Sequence, residues 1–428
     1  MIVISIFVIL LTLIVLGVPI AVSIGLASLS CIYIFDLGVP LTLLPSQTFA
    51  GVDSFPLMAI AFFIFAGELM DKAGITRRIL DLADAIVGSL KGGLTYVNVV
   101  AAMMMASISG SGTACAAALG VTLIPDMAKR GYSIEYAISL TSCANVLGPI
   151  IPPSTLMILY GYYTNTSIAR LFLGGVMPGI AIGISLMIVG QVICKRKGFR
   201  QEKQPFSKKK FKNALINGWI ALLIPAFIFV AIIGGWATAS DAGALVCAIS
   251  LFLGMGFRTI TSIKDVLDAA GKAAHNTCTI FAMLALSGIF SNVLVRARFQ
   301  SLIVNLMSPL THSTFATMLT IILFIFLLGM FVDVTPMIIM FAAPFTAVAL
   351  TAGIDKVHFG VLFTIICMIG AVTPPVGGIL FVTTTIAKTP MTQIVPQLIP
   401  FVLILVVMTV LMIFFPPIVT ALPNLLFG

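Results

Sequence analysis

"VVAAMMMASISGSGTACAAALGVTLIPDMAKRGYS", residues Val99–Ser133, decides how this chain is built. One apolar helix runs in, the small and hydroxylated residues Ser107–Thr113 interrupt it, and a second apolar helix runs out to Pro125. Non-helical backbone at membrane depth is tolerated only where protein buries it or where it lines a cavity, because lipid offers no hydrogen-bond partners. The surroundings read as lipid. The 428 residues are 60% hydrophobic and only 9% charged, against roughly a quarter charged in soluble domains. Apolar runs recur at Ile2–Leu16, Ile20–Phe35, Phe55–Met70, Ile168–Cys194, Trp219–Gly235, Ala242–Phe257, Phe281–Val295 and Phe401–Phe415, close to the roughly 20 residues of a spanning helix. The pattern predicts an all-α polytopic membrane protein in a lipid bilayer. Nothing shows the short alternating segments of a β-barrel.

The opening run lacks a positive n-region and a small-residue cleavage pattern, so it reads as a first helix of the mature chain rather than a secretory signal. The seven cysteines stand singly, with no C-x-x-C, and read as small apolar filler. The net charge of +9 is concentrated: Lys195–Lys212 holds nine basic residues against the single acid Glu202. Beside so many spans this is a cytoplasmic loop set by the positive-inside rule, and not a nucleic-acid patch. It divides the chain into residues 1–194, the linker 195–212 and residues 213–428.

The two parts read as one repeat used twice. Gly110 and Pro125 match Gly329 and Pro344 at a constant offset, and Gly131–Ser154 aligns with Gly353–Val376, bringing Pro152-Pro153 onto Pro374-Pro375. Lys91, Lys129 and Arg130 put the base of the first hairpin in the cytoplasm. The second hairpin, from the stretch around His312, has only Asp355 and Lys356 beyond it, which suits the periplasm. The copies are therefore expected to be inverted, with both uncharged termini outside. Each would carry a re-entrant hairpin, with tips at Ser107–Thr113 and Gly329–Pro336, and a spanning helix unwound at Asn145–Ser154 or Gly370–Gly377. Ordinary helices kinked by proline are the competing reading. Paired, interrupted segments at matching positions of inverted halves point to the binding site of a secondary transporter.

Broken helix ends expose carbonyls that can converge on a cation, and this chain offers hydroxyls and carbonyls where it offers few carboxylates. One expected Na⁺ site comprises Ser107, Ser109, Gly110, Ser111, Gly112 and Thr113 with Asn145 and Gly148. The other comprises Gly329, Asp333 and Thr335 with Gly370, Thr373 and Gly377. The free N–H groups at the tip, with Ser111, Thr113, Pro153, Ser154, Asp333 and Pro375, are expected to receive an anionic substrate. Asp333 is the one acid deep in an apolar segment, a functional candidate by default; a helix cap is its other reading. Arg296 and Arg298 end an apolar helix on the outer side. A substrate carboxylate, a partner protein and plain loop charge are all open for them. His275, His312 and His358 share no metal-ligand spacing, so Na⁺ as coupling ion is the only metal expected, with no other cofactor. No P-loop is present.

With "SISGSG", "NVLGPIIPPS" and "AVTPPVGG" in place, the chain resembles the large membrane subunit of tripartite ATP-independent periplasmic (TRAP) transporters over essentially its whole length. The resemblance implies a bacterial inner-membrane, Na⁺-driven elevator-type importer of organic acids, C4-dicarboxylates and sialic acid among them, with general likeness leaning to sialic acid. It implies two partners, a small four-helix membrane subunit and a periplasmic substrate-binding protein. It also implies transport segments near 55–164 and 276–389, connecting arms at 37–53 and 259–275, and scaffold helices at 1–35, 168–194, 213–257 and 391–416. A stand-alone Na⁺/carboxylate symporter of related fold is one rival. A membrane subunit of an energy-converting enzyme is another, and it would call for paired buried carboxylates or histidines. No enzymatic activity is expected.

Overall fold

The computed structural model describes residues 2–199, 207–299, 301–302 and 313–428. His312 and residues 200–206 of the basic linker lie outside the described residues. Every described element is helical. The first half contains α1 (Ile2–Val15), α2 (Ile20–Ile34), α3 (Leu44–Ala50), α4 (Phe55–Lys72), α5 (Ile75–Val87), α6 (Gly93–Ser109), α7 (Gly112–Lys129), α8 (Ile134–Ala144), α9 (Thr155–Thr164) and α10 (Ile168–Lys197). After the linker come α11 (Lys208–Ile233), α12 (Ala239–Gly256) and α13 (Ile263–Arg296), then helices over Thr314–Gly329, Val334–Thr351, Lys356–Gly370, Gly378–Ala387, Met391–Phe414 and Pro417–Phe427. Five described helices are long and apolar enough to cross a bilayer; α3 and α4, bent by 60°, make a sixth if counted as one span.

The breaks fall where glycine, serine and proline cluster. The first hairpin is α6 and α7, separated only by Gly110 and Ser111. Gly110 adopts φ +59, a left-handed conformation that costs a residue without Cβ little. The second hairpin is Thr314–Gly329 and Val334–Thr351, separated by residues 330–333. Its second leg, 18 residues of mean hydropathy 1.8, is by itself long enough to span. The first broken helix is α8, which passes through a short 3₁₀ turn at Asn145–Leu147, unwinds, and resumes as α9. The second is Lys356–Gly370, unwound over residues 371–377 and resumed at Gly378–Ala387. Both prolyl pairs, Pro152-Pro153 and Pro374-Pro375, are cis.

The two halves interlock through polar contacts in an otherwise apolar interior. The Ser142 and Thr383 hydroxyls lie 2.7 Å apart, joining the first broken helix to the second. The Tyr160 and Thr346 hydroxyls, also 2.7 Å apart, join α9 to the second hairpin. Gly112 packs against the Met368 and Ile379 side chains of the second broken helix.

Charge is sorted along the helix axes. Lys72 at the end of α4 lies 3.8 Å from both Asp265 and Asp268 at the start of α13. Arg78 at the start of α5 stacks 3.6 Å from the centre of the Phe257 ring beyond α12. Tyr132 beyond α7 and Phe199 beyond α10 have ring centroids 5.8 Å apart. These contacts gather Lys72, Arg77, Arg78, Lys129, Arg130, Lys195, Arg196, Lys197, Arg258 and Lys264 at one end of the molecule. The opposite ends of α10 and α13 carry Arg170 and Arg296, which donate to the Phe427 and Leu37 carbonyls at 2.6 and 3.1 Å.

The expected second arm and the segment after it are continuous here. α13 is a single helix of 34 residues from Ile263 to Arg296. Its start is fixed by Asp265, whose Oδ2 accepts from the backbone N–H of Thr261 and of Ser262, each at 3.1 Å.

Candidate functional site

Each hairpin tip rests backbone to backbone on a broken helix. A methyl group added at Gly148 would lie 3.0 Å from both Cα and N of Gly112, and one at Gly110 would lie 2.8 Å from the Pro153 carbonyl oxygen. The Thr155 hydroxyl donates to the Gly110 carbonyl at 3.1 Å. In the second half a methyl at Gly370 would lie 2.6 Å from the carbonyl carbon of Gly329, and the Val376 N–H donates to the Met330 carbonyl at 3.2 Å. These approaches require the absence of a side chain, which is the structural reason for glycine at positions 110, 148 and 370.

The polar groups at the tips are arranged as follows. Ser111 is the N-cap of α7; its Oγ accepts from the Ala114 N–H at 3.4 Å and lies 3.3 Å from the Thr113 hydroxyl. Ser109 donates to the Ser111 carbonyl at 3.4 Å, and Ser107 to the Met104 carbonyl at 2.7 Å. Asn145 is wholly buried. Its Nδ2 donates to the Thr141 carbonyl at 2.7 Å, while its Oδ1 has no hydrogen-bond partner among the described residues. A buried acceptor left unpaired costs about 1–3 kcal/mol, and a bound cation would remove that cost. Asp333 is the N-cap of Val334–Thr351 by position, but its side chain makes no capping hydrogen bond. Its Oδ1 lies 3.5 Å from where a Cβ would stand on Gly378, at the start of the resumed second broken helix. Two helix N-termini therefore face one carboxylate, a favourable arrangement for negative charge. Thr373 donates to the Ile369 carbonyl at 2.6 Å, and Ser154 caps α9 by accepting from the Met157 N–H at 3.1 Å.

Both tips open into one cavity of about 880 Å³. Of the residues expected at the site, Ser109, Gly110, Ser111, Gly112, Thr113, Asp333 and Thr335 line it. Ser107, Asn145, Gly148, Pro153, Ser154, Gly329, Gly370, Thr373, Pro375 and Gly377 do not; most of these form the seats behind the tips. Arg296 stands apart from the cavity, its Nε donating to Asn292 Oδ1 at 2.9 Å. It braces the end of α13 against Leu37 rather than facing the space between the tips.

Much of the charged and polar remainder of the wall comes from two helices that sequence reading left out of the site. α4 contributes Gly67, Glu68 and Asp71, and α13 contributes Lys272, His275, Asn276, Thr279, Ile280 and Met283. The α13 positions repeat at three- and four-residue intervals, so they form one stripe along the helix. The signal was visible as "KAAHNTCT" inside an otherwise apolar helix, but only tertiary docking shows which face meets the tips.

An all-helical membrane protein with paired hairpin tips and unwound helices meeting at a common cavity is a permease by architecture. The family model for the tripartite ATP-independent periplasmic transporter, DctM component, matches residues 7–418. The chain belongs to that family. It is 32% identical over 404 residues to the isethionate TRAP transporter permease DctMQ of Oleidesulfovibrio alaskensis, covering 94% of this chain but 64% of the relative's length. It is 29% identical to the sialic acid TRAP transporter large permease SiaM of Vibrio cholerae, covering 96% of each. Its fold is similar to that of the Alcanivorax borkumensis YdaH transporter, with TM-score 0.64, 12% identity and coverage of 87% and 86%. These relatives are transporter proteins, and the match to the family model places this chain among membrane transport components.

Proposed function

We propose that this chain is the large translocating subunit of a Na⁺-coupled importer of small organic anions in a bacterial inner membrane. It would work with a small membrane subunit and a periplasmic binding protein that delivers the cargo. The observation that carries the reading is the shared cavity of the two tips, with the unpaired Asn145 Oδ1 behind one and the Asp333 carboxylate at the other. Na⁺ is a hard cation served by oxygen ligands. The first ion would take Asn145 Oδ1 with carbonyls and hydroxyls of Ser107–Thr113 and Gly148. The second would take Asp333 and Thr335 with carbonyls around Gly329, Gly370, Thr373 and Gly377. The cargo anion would sit between them, at the N–H groups of the tip beyond Ser111.

The gathered basic end belongs in the cytoplasm by the positive-inside rule, which leaves both termini on the periplasmic side. The cavity, bordered by Asp71, Thr76 and Lys272, then opens inward. The paired hairpins and broken helices would form two inverted repeats and move as one transport body against α1, α2, α10, α11, α12 and Met391–Phe414. Two of the relatives are named for isethionate and sialic acid, anions that share a single negative charge and hydroxyl groups, and the class proposed here is hydroxylated carboxylates and sulfonates.

The test is uptake into proteoliposomes containing this chain, its small subunit and the binding protein loaded with each anion in turn. Uptake should require an inward Na⁺ gradient, be indifferent to ATP, and stop when the binding protein is omitted. Undiminished uptake with K⁺ or choline in place of Na⁺ removes the coupling assignment. Uptake by this chain alone would make it a stand-alone symporter.

A further inference from the structure

The facing charges of α4 and α13 form an antiparallel ladder that no part of the transport reading uses. Going down α4, Glu68 is followed one turn later by Lys72; going up α13, Lys272 follows Asp268 by one turn and Asp265 by two. Lys72 is paired with both aspartates at 3.8 Å. No described carboxylate, Glu68 included, lies within 4.0 Å of the Lys272 ammonium. Both Glu68 and Lys272 line the cavity, and Lys272 is the one Lys or Arg among its described lining residues.

Three acids line the same space: Glu68, Asp71 and Asp333. Asp71 already accepts the Thr76 hydroxyl at 2.9 Å. Asp333 faces the two helix N-termini. That leaves Glu68 as the acid that shares the cavity wall with Lys272 without a described hydrogen bond or ion pair of its own. A cargo anion entering between them would meet an ammonium with unused donors, and would compete with Glu68 for it.

We infer that Lys272 is the anion anchor on the α13 wall of the cavity, alongside the tip N–H groups, and that Glu68 is its internal competitor, offsetting the charge that draws in a carboxylate or sulfonate. Next to Lys272 on the same stripe, His275, Asn276 and Thr279 supply hydrogen-bonding groups for the hydroxylated part of such a cargo. Lysine suits the role because its point charge sits on a flexible stem and can turn from one oxygen acceptor to the other. The inference rests on the anion-import reading for the identity of the cargo, and its test needs no transport.

The full chain with exposed Cys278 replaced by serine and Thr279→Cys installed reports the charge of the cavity. The readout is the ratio of modification rates by sulfonatoethyl and trimethylammonioethyl methanethiosulfonate. Lys272→Gln should lower the anionic-to-cationic ratio at least about threefold, Lys272→Arg should keep it within about twofold, and Glu68→Gln should raise it by about threefold or more, as expected for unit charges within roughly 10 Å. An Asn276→Cys reporter gives the same comparison if Thr279→Cys disturbs the fold. An unchanged ratio in Lys272→Gln overturns the assignment of the anchor, and an unchanged ratio in Glu68→Gln overturns that of the competitor. Absence of labelling at both reporters overturns the claim that a solute reaches this wall. Failure of Na⁺ coupling in the uptake assay would leave the rate ratios untouched, so the two readings fall separately.

Discussion

Gly370→Ala tests whether backbone contact seats the second hairpin. The added methyl would lie 2.6 Å from the carbonyl carbon, 2.7 Å from Cα and 2.8 Å from the carbonyl oxygen of Gly329. Comfortable carbon–carbon separation is about 3.5–4.0 Å, so the two segments must part by about 1 Å. No side chain can turn aside, because all three atoms are backbone. Overpacking of this kind costs about 1–3 kcal/mol, and contact with rigid backbone argues for the upper end. Replacing glycine in a helix returns up to about 1 kcal/mol. The matched control is Gly271→Ala in α13, where nothing lies within 4 Å of the new methyl and only the helix-propensity gain applies. The pair should therefore differ by about 2–3 kcal/mol in stability. Thermal unfolding of the purified chain in detergent reads that difference, and uptake at equal protein content reads the displacement of Asp333 from the start of Gly378–Ala387. Equal midpoints and equal uptake in the two variants would refute the argument that this contact holds the tip.

Further outcomes follow from the site. Asp333→Asn should move the Na⁺ dependence of uptake to higher concentration at unchanged membrane expression; because Asn caps helices about as well as Asp, superimposable curves would leave Asp333 a structural residue. Asn145→Leu, which keeps the volume and deletes the unpaired oxygen, should abolish Na⁺ dependence, whereas Asn145→Asp should retain it, and equal loss in both variants would point to packing. Asp265 is held below the usual carboxylate range, first by the Thr261 N–H and then by that of Ser262. Its folded value being depressed, the cap contributes fully above about pH 4 and fades as pH falls through that lower value. Protection of the first turn of α13 should drop over that range in wild type and not in Asp265→Asn.

The breaks were legible to within about three residues, because their cause is local. Gly110-Ser111 and the paired prolines at 152–153 and 374–375 end helices, although other prolines, such as Pro178 in α10 and Pro225 in α11, sit inside continuous ones. Gly148 and Gly370 were singled out in the sequence as expected Na⁺ ligands, whereas their close backbone approach to the tips shows only in the fold. The wall of the cavity was not legible. Glu68 read as an interfacial residue near a segment end, Asp71 was not singled out, and Lys272 fell within the expected arm 259–275, because nothing in a continuous helix of 34 residues marks which face another segment will approach. Arg296 illustrates the opposite error: a basic residue at an unexpected end attracted a substrate, and its carbonyl partner Leu37 lies far away in sequence. Asn98 was overlooked altogether. It stands alone in "TYVNVVAAMMM", and it donates to Thr141 at 2.7 Å, tying α6 to α8.

The bond between Ser142 and Thr383 spans 241 positions of the chain, and that has a cost during synthesis. A ribosome delivers α6 to α9 long before Gly378–Ala387 exists. Until then Ser142 lacks its partner, and the flank of Gly112 that will receive Met368 and Ile379 stays uncovered. The first half is therefore inserted with the Ser142 hydroxyl and that flank of Gly112 not yet covered by the second broken helix. Nascent chains halted just before residue 378 should be far more sensitive to membrane proteases than chains halted after residue 390, although both already contain the whole first half.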